Sequence, residues 1–224
     1  MPVAQALASA GYPTLVIGYF KAPGLPAALA DIPLEYFGRA LAFLHAQPGV
    51  DPRRIAVLGA SRGSEAAQLL GAYYPDLVHG VIALVPADVA VCGYPDCSRP
   101  VWTWRGRPLP FTSQFNQPAP TDTPAAILPH ARIAAPLFLA CGGHDLLWDS
   151  CPYARAALAH HTAAHPGAGD ILLAYPHAGH GVGFPLPGTA SHDPLLAGDG
   201  PTANEDAREQ LWTHLLSYLN QLPP

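Results

Sequence analysis

The feature that most constrains the fold of this chain is an apolar run that leads through a glycine turn into a helix-forming segment. Residues 55–58 predict a strand, residues 59–63 read Gly-Ala-Ser-Arg-Gly, and the next residues predict a helix that ends near Tyr74, where Pro75 stops it. A G-x-S-x-G turn in this context predicts a strained backbone at Ser61 that exposes its hydroxyl. We expect Gly59 and Gly63 to lack side chains because Cβ atoms would collide in so tight a turn. The alternative is an ordinary junction in which Ser61 caps the helix.

Further apolar runs predict buried strands at residues 13–20, 81–85, 137–141 and 171–175. Each run is nearly continuous rather than alternating, as expected for parallel strands that are covered on both faces. Helical patterns lie between the runs, so the sequence predicts an α/β fold with a mostly parallel sheet flanked by helices. A chain of 224 residues, 50% of them hydrophobic, fits a single globular domain over residues 1–224.

Two of the predicted helices have recognisable starts. Asp31 is the expected N-cap of a helix with Pro33 in its first turn, and the apolar face of this helix comprises Leu34, Phe37, Leu41 and Leu44. The last helix begins near Thr202, which stands at capping-box spacing from Glu205. Its apolar stripe, which we expect to pack on the sheet, comprises Ala207, Leu211, Leu215, Tyr218 and Leu222.

A nucleophilic serine needs a base, and the base needs an orienting carboxylate. In α/β-hydrolases these groups follow later strands in the order serine, acid, histidine. Asp145 follows the strand predicted at 137–141 through Gly142-Gly143-His144, and His180 follows the strand predicted at 171–175, with Gly179 leaving room for its ring. The sequence therefore predicts Ser61, Asp145 and His180 as catalytic residues of an α/β-hydrolase fold.

Other acids and histidines fit these roles less well. Asp149 lies beyond the bulky Trp148, and Asp170 precedes its strand, so both are expected to be solvated loop charges. His177 is the rival base, but it is closer to its strand and no glycine precedes it. No histidine pair stands with nearby acids on one element, so we predict neither a metal site nor a cofactor.

The developing negative charge on an attacked carbonyl oxygen needs two preorganised N–H donors. The backbone N–H of Arg62 is the expected first donor. The second usually comes from a loop after a strand that precedes the first strand found here, and we expect that stretch to be missing. Either the segment from Gly18 to Lys21, which includes Tyr19 and Phe20, supplies the second donor, or catalysis is weakened.

Residues 92–129 are irregular and rich in proline and aromatic side chains. A structureless insertion of this length predicts a lid or a binding loop. Its side chains Trp102, Trp104 and Phe111, together with Trp148, are predicted to contact an apolar acyl group, although Trp102 and Trp104 could equally anchor the insertion to the core. The basic residues of the insertion favour either phosphate binding or a solvated loop; they are Arg99, Arg105 and Arg107.

Charge and cysteine content narrow the partners and the compartment. A net charge of −5 with only 11 Lys plus Arg offers no basic stripe for nucleic acid, and no apolar run is long enough to span a membrane. No basic-then-apolar leader is visible, which favours the cytoplasm. Cys92 and Cys97 could close a small loop, but we expect the four cysteines to be free thiols, the others being Cys141 and Cys151.

Several segments of the sequence resemble the C-terminal catalytic domain shared by acyl-CoA thioesterases and bile acid-CoA:amino acid N-acyltransferase. The similar segments are GASRGS from Gly59, GGHDLLW from Gly142, YPHAGHG from Tyr175 and the stretch from Trp102 to Phe111. The resemblance runs from about Gly11 to the last helix. It implies a Ser or Cys nucleophile at position 61, the acid at Asp145 and the base at His180.

The same resemblance bears on activity and on chain length. The bile acid transferases have cysteine as nucleophile, so Ser61 looks like the hydrolytic branch of the family. The family also has an N-terminal β-sandwich domain and earlier sheet strands, and we expect this chain to be N-terminally shortened relative to it.

Three functional hypotheses follow. The leading one is a cofactor-independent serine hydrolase that cleaves acyl esters or acyl-CoA thioesters through an acyl-enzyme. The alternatives are an acyl-CoA:amino acid N-acyltransferase and a truncated homologue that binds ligands without turnover. An exposed sheet edge at the first strand or its neighbour would favour a homodimer.

Overall fold

The regular elements of the chain alternate between strands and helices, in a computed structural model that describes residues 2–188 and 193–222. The helices are α1 (Pro2–Ser9), α2 (Leu34–His45), α3 (Arg62–Tyr73), α4 (Ser150–Ala164) and α5 (Ala203–Gln221). The strands are β1 (Ile32–Pro33), β2 (Ala56–Ala60), β3 (Gly80–Leu84), β4 (Trp102–Trp104), β5 (Arg107–Pro108), β6 (Leu137–Gly142) and β7 (Ile171–Tyr175).

The main sheet is parallel and has the strand order β2-β3-β6-β7. Every residue of β3 and β6 is buried because these central strands are covered on both faces, whereas β2 and β7 are partly exposed. The predicted parallel α/β sheet is confirmed, with four of its strands. All four strands end on one side, which we call the carboxyl edge; their last residues are Ala60, Leu84, Gly142 and Tyr175.

Alternate residues of the central strands pack against helices on opposite faces of the sheet. Val81 and Ala83 belong to a buried cluster with residues of α2, α3 and α4. Ile82 and Leu84 belong to a second cluster with α5. The predicted stripe of α5 is buried throughout, which confirms that this helix packs on the sheet.

The insertion at residues 92–129 is folded onto the core, so the prediction that it lacks structure is wrong. Its strands β4 and β5 form a small sheet with β1. Backbone hydrogen bonds hold its ends, with Cys92 N–H donating to Thr112 O at 2.9 Å and Ala90 N–H to Ala126 O at 2.8 Å. A role as a lid stays a prediction, as does the division of the chain into one domain.

Residues 13–20 do not form the predicted strand. The segment has no ladder partner among the described residues, and Leu15 and Val16 are 38% and 46% exposed. Apolar, β-branched composition favours a strand only where a neighbouring strand satisfies the backbone.

The predicted cap of α2 is wrong, whereas the predicted start of the last helix at Thr202 is correct but lacks the capping box. The N-cap of α2 is Pro33, and Asp31 instead forms an ion pair with Arg99. Thr202 is the N-cap of α5, but its hydroxyl donates to Asp206 Oδ2 at 2.9 Å, and Glu205 accepts from Gly188 N–H. These side chains find partners outside the backbone of the first helical turn, so no capping box forms.

All four cysteines are in disulfides, which corrects the prediction of free thiols. Cys92 is bonded to Cys97, and Cys141 to Cys151. The second bond joins β6 to α4, and the ten-residue separation between its cysteines contains Asp145. Chain folding brings these Cα atoms within 5.0 Å, which sequence spacing alone does not reveal.

Candidate active site

Ser61 lies at the carboxyl edge between the last residue of β2 and the first residue of α3. Its backbone has φ 55° and ψ −125°, in a region that residues with side chains rarely adopt, and its N–H donates to Leu84 O at 3.0 Å. Although Ser61 occupies the N-cap position, its side chain makes no capping hydrogen bond. The geometry therefore favours the strained nucleophile turn over the simple cap.

The space for a side chain differs between the two glycines of this turn. A Cβ on Gly59 would lie 1.9 Å from Gly63 O, so no side chain fits there. A Cβ on Gly63 would approach only the Tyr19 hydroxyl, at 3.7 Å, which is ordinary contact. The prediction of a collision holds for Gly59 and is wrong for Gly63.

The loops that carry Asp145 and His180 pack directly on each other beyond β6 and β7. Gly143 N–H donates to Tyr175 O and His144 N–H to Ala178 O, both at 2.9 Å. Gly179 is required for a reason other than the predicted one, since a Cβ there would lie 1.8 Å from Ala197 O rather than obstruct the imidazole.

Asp145 and His180 form a hydrogen-bonded pair. The His180 Nδ1 atom lies 2.9 Å from Asp145 Oδ2 and 3.1 Å from Oδ1, and the two side chains are only 3% and 1% exposed. Asp145 Oδ1 also accepts from the backbone N–H groups of Leu147 and Trp148, at 3.0 and 3.3 Å. A proton on Nδ1, facing the carboxylate, leaves Nε2 of the neutral ring as an acceptor. Nε2 is buried and has no hydrogen-bond partner within the described residues.

Ser61 lies at the same edge as this pair without a hydrogen bond to it in the part of the chain that the structure describes. The turn His180–Gly183 packs on the residue before Ser61, because a Cβ at Gly183 would lie 3.5 Å from the Cβ of Ala60. The structure thus joins the predicted acid to the predicted base, and the contact between base and nucleophile stays a prediction.

The rival residues have other roles. His177 is 74% exposed and faces Asp199 at 3.5 Å. Asp170 is not a solvated loop charge, which corrects its prediction: it is largely buried, accepts from Leu137 N–H at 2.9 Å and faces His161 Nδ1 at 2.8 Å. Asp149 is the N-cap residue of α4 without a capping side-chain bond.

Trp148 is buried behind the base, so its predicted contact with substrate is not supported. Its Nε1–H donates to Val85 O at 3.1 Å, and its ring stands edge-on to the His180 ring with centroids 5.5 Å apart. The hydrogen bond to Val85 O fixes the Trp148 ring, and that ring packs against the imidazole of His180.

Two of the predicted substrate contacts in the insertion are structural instead. Trp102 is buried in the core, and its Nε1–H donates to Glu65 Oε2 at 2.8 Å. Trp104 packs on Tyr73 and Tyr74 at the end of α3, about 18 Å along the helix from Ser61 at ~1.5 Å per residue. Both tryptophans anchor the insertion to α3, which was the alternative interpretation.

Phe111 remains a candidate for substrate contact. It is half-buried and lines a surface cavity of about 510 Å³ between β5 and Thr123.

Two of the three basic residues of the insertion contact other side chains. Arg99 pairs with Asp31, and the Arg105 guanidinium lies 5.4 Å from the Trp104 ring centroid. Neither contact indicates phosphate binding.

A buried polar group beside the nucleophile was not anticipated. Glu65, in the first turn of α3, is fully buried and forms an ion pair with Arg62 at 3.1 Å. Arg62 also donates through Nη2 to Val91 O at 2.7 Å and Cys92 O at 2.8 Å. Burial raises the pKa of Glu65 to about 7, against the opposing effects of Arg62 and Trp102. The only sequence signal was the i,i+3 spacing of Arg62 and Glu65.

The oxyanion candidates flank the start of α3. Arg62 is the first residue of α3, where backbone N–H groups have no acceptor within the helix. Tyr19 and Phe20 pack against each other with ring centroids 5.3 Å apart, and the Tyr19 hydroxyl faces Gly63.

No group of three or more acids, histidines and cysteines that could hold a metal ion occurs in the described ranges. Nor do those residues include a helix that is both long and apolar enough to cross a membrane.

The parallel sheet, the serine turn after β2 and the acid and histidine after β6 and β7 define an α/β-hydrolase. A solved structure from Bacteroides ovatus, provisionally named dipeptidyl aminopeptidase IV, agrees with this fold at 17% identity and a TM-score of 0.50, over 84% of this chain and 22% of that one. At this identity the likeness concerns the fold alone.

The chain belongs to the BAAT / acyl-CoA thioester hydrolase C-terminal family, whose model matches residues 32–95 and 105–222. Mouse acyl-coenzyme A thioesterase 6 is 27% identical over 99% of this chain and 57% of its own length. Rat acyl-coenzyme A amino acid N-acyltransferase 2 is 26% identical over 97% of this chain and 56% of its own length. The chain therefore spans little more than half the length of these relatives.

Proposed function

We propose that the chain is a serine hydrolase that cleaves acyl thioesters or esters through an acyl-enzyme on Ser61. The observation that carries the proposal is the buried Asp145–His180 pair, whose Nε2 has no hydrogen-bond partner among the described residues and whose turn packs beside Ser61. Membership of a family of acyl-CoA thioester hydrolases supports the substrate class.

In the proposed mechanism, His180 Nε2 accepts the Ser61 proton as Oγ forms a bond to the acyl carbon. The carbonyl electron pair moves onto oxygen and is stabilised by the Arg62 N–H. When the carbonyl re-forms, the bond to the thiolate or alkoxide breaks and His180 returns the proton to that group. Water, deprotonated by His180, then attacks the acyl carbon. The bond to Ser61 Oγ breaks as His180 returns the proton to Oγ, and the free acid leaves. Because Ser61 and His180 are not hydrogen-bonded in the structure, the mechanism requires the Ser61 hydroxyl and His180 Nε2 to come within hydrogen-bond reach before the first proton transfer.

The test is hydrolysis of p-nitrophenyl esters and acyl-CoAs by the wild type and by Ser61→Ala. We expect the variant to lose at least about 1,000-fold in kcat, since the remaining donors and binding groups support only residual catalysis. His180→Ala and His177→Ala form a matched pair, and only the first should lose activity. Equal rates for wild type and Ser61→Ala would contradict the proposal.

An alternative is acyl transfer from CoA to an amino acid, which the similarity to an N-acyltransferase favours. The two reactions share the acyl-enzyme and differ in whether water or an amine attacks it. Product analysis with added glycine or taurine separates them. Amide product would establish the transferase, whereas free acid alone would remove it.

A second alternative is a ligand-binding homologue without turnover, which the missing hydrogen bond between Ser61 and His180 favours. A fluorophosphonate probe reacts only with an activated serine. Well-folded protein that resists labelling would support this reading.

A homodimer through the sheet edge is also proposed. β2 is an edge strand, and Leu58 on it is exposed, as are Leu15 and Val16 in the unpaired segment before it. Light scattering at micromolar concentration should show a dimer that Leu58→Lys dissociates. A monomeric wild type would remove this proposal.

We propose a cytoplasmic location from the sequence, but the two disulfides argue against it. Disulfides persist mainly in oxidising compartments, and the structure has two. Thiol alkylation of the native protein taken directly from cells would decide it, with four free thiols expected for a cytoplasmic protein.

A further inference from the structure

The hydroxyl of Tyr19 lies beside the start of α3, and this helix begins directly after Ser61. It is 3.7 Å from the position that a Cβ of Gly63 would occupy. Gly63 is the second residue of α3, and Cα–Cβ bonds of a helix tilt towards its N-terminus. The hydroxyl therefore faces the end of the helix that carries Ser61 and the N–H of Arg62.

The ring of Tyr19 is held by a set of aromatic side chains. Its centroid lies 5.3 Å from that of Phe37 and 5.9 Å from that of Trp102, whose indole is in turn bonded to Glu65. A donor whose ring is held in this way needs little reorganisation when charge develops nearby. Tyr36 packs on Phe37 in the same aromatic set, and its exposed hydroxyl donates its proton to Gly18 O at 2.8 Å.

The Tyr19 hydroxyl is free to donate a hydrogen bond to a substrate. Within the described part of the chain it makes no hydrogen bond. Burial raises the pKa of Tyr19, the Glu65 carboxylate adds to the rise, and Arg62 opposes it. The group thus remains a neutral donor throughout the physiological pH range.

We propose that Tyr19 is a catalytic residue whose side-chain hydroxyl is the second oxyanion donor, opposite the backbone N–H of Arg62. This inference rests on the proposed function and replaces the backbone donor expected from the segment of Tyr19 and Phe20. During attack by Ser61, the Tyr19 O–H donates a hydrogen bond to the carbonyl oxygen as that oxygen gains the electron pair, and no proton leaves Tyr19. Phe20 has no side-chain donor, so its role is to pack against the Tyr19 ring.

Tyr19→Phe tests the proposal because it removes the donor and keeps the ring. We expect kcat to fall about 100-fold or more with KM nearly unchanged, since the bond is made to the developing oxyanion rather than to the ground-state substrate. Tyr36→Phe is the matched control. It also removes one hydroxyl from the same aromatic cluster, and it should retain kcat within a few fold because that hydroxyl is exposed and donates to Gly18 O.

The outcomes separate this inference from the proposed function. If the wild type is active, Ser61→Ala is inactive and Tyr19→Phe keeps the wild-type kcat, the Tyr19 role is overturned while the hydrolase stands. An equal loss in Tyr19→Phe and Tyr36→Phe would also overturn it, because packing would then explain both. A wild type that hydrolyses neither substrate class overturns the proposed function, and the Tyr19 role falls with it.

Discussion

Single residues at the carboxyl edge have backbone conformations that their neighbours must support. Ser61 has φ 55° and Val85 has φ 41°, both in the left-handed region that favours glycine. Val85 is held from both sides, since its N–H donates to Ala140 O at 2.7 Å and its carbonyl accepts from Trp148. Strain of this kind persists only where surrounding structure fixes it. The two residues directly follow the neighbouring strands β2 and β3.

Gly59 and Gly63 should respond differently to the same substitution. Gly59→Ala places a Cβ 1.9 Å from Gly63 O, so the turn must open, and we expect the free energy of unfolding to fall by about 3 kcal/mol or more. Gly63→Ala meets only ordinary contact and should change the free energy of unfolding by less than about 1 kcal/mol. Urea denaturation of both variants measures this, and equal stabilities would contradict the assigned geometry.

Glu65 should make stability depend on pH. Burial raises the pKa of Glu65 from 4.5 to about 7, so the folded protein holds this proton more tightly than the unfolded chain. The stabilising contribution is therefore complete below about pH 4.5 and is lost as the pH rises to about 7. The loss is on the order of 3 kcal/mol.

Glu65→Gln removes this titration. We expect the stability of the variant relative to the wild type to increase between pH 4.5 and 7 and to level off above it, as measured by denaturation at several pH values. Glu209→Gln, on an exposed position of α5, is the control and should show no such trend. A pH-independent difference for Glu65→Gln would contradict the proposed ionisation.

The sequence predicted the candidate catalytic residues, whose positions relative to the strands are fixed. It did not predict which buried side chains contact one another. Ser61, Asp145 and His180 stand at strand ends, where local pattern is informative. Glu65 and Trp102 are separated by 37 positions, and only the docking of the insertion on α3 brings them together. For the same reason, Trp102 and Trp148 looked like binding residues although both are buried.

At the scale of elements, the loop that carries the candidate acid is cross-linked. The Cys141–Cys151 bond connects the end of β6 to the start of α4 on either side of Asp145. Replacing both cysteines by alanine should lower the free energy of unfolding by about 2–3 kcal/mol through the entropy of the unfolded chain. It should also lower kcat, because Asp145 is then held less firmly against His180.

The Cys92–Cys97 pair supplies the matched control for this prediction. Its replacement by two alanines removes a short cross-link of similar expected stability, while leaving both ends of the Asp145 loop intact. Thermal unfolding should shift in both double variants, and kcat should fall much further in the first. Unchanged kcat in Cys141→Ala/Cys151→Ala would show that the loop keeps its position without the bond.

Strands were predicted correctly where an apolar run also has a neighbouring strand to pair with. The four strands of the main sheet lie within a few residues of their predicted positions because each apolar run pairs with at least one neighbouring strand. Residues 13–20 have the same composition but no strand partner, so composition alone misled. The order of pairing is a tertiary property that the apolar pattern does not contain.

At the scale of the whole molecule, parallel strands bring distant residues to one edge. Ser61, Asp145 and His180 follow β2, β6 and β7, and the central strand β3 separates β2 from β6. The Arg62–Glu65–Trp102 contacts tie the nucleophile helix to the insertion, while Trp148 and the disulfide tie the acid loop to the sheet and to α4. Several parts of the chain thus hold the site from different sides.

The central claim is that His180, oriented by Asp145, activates Ser61. Fluorophosphonate labelling followed by peptide mass spectrometry tests it most directly, because the adduct identifies the nucleophile whatever the natural substrate is. We predict an adduct on Ser61 in the wild type and in His177→Ala, and at least about 100-fold slower labelling in His180→Ala and Asp145→Asn. An adduct on another residue, or equal labelling of Ser61 in all four proteins, would contradict the account.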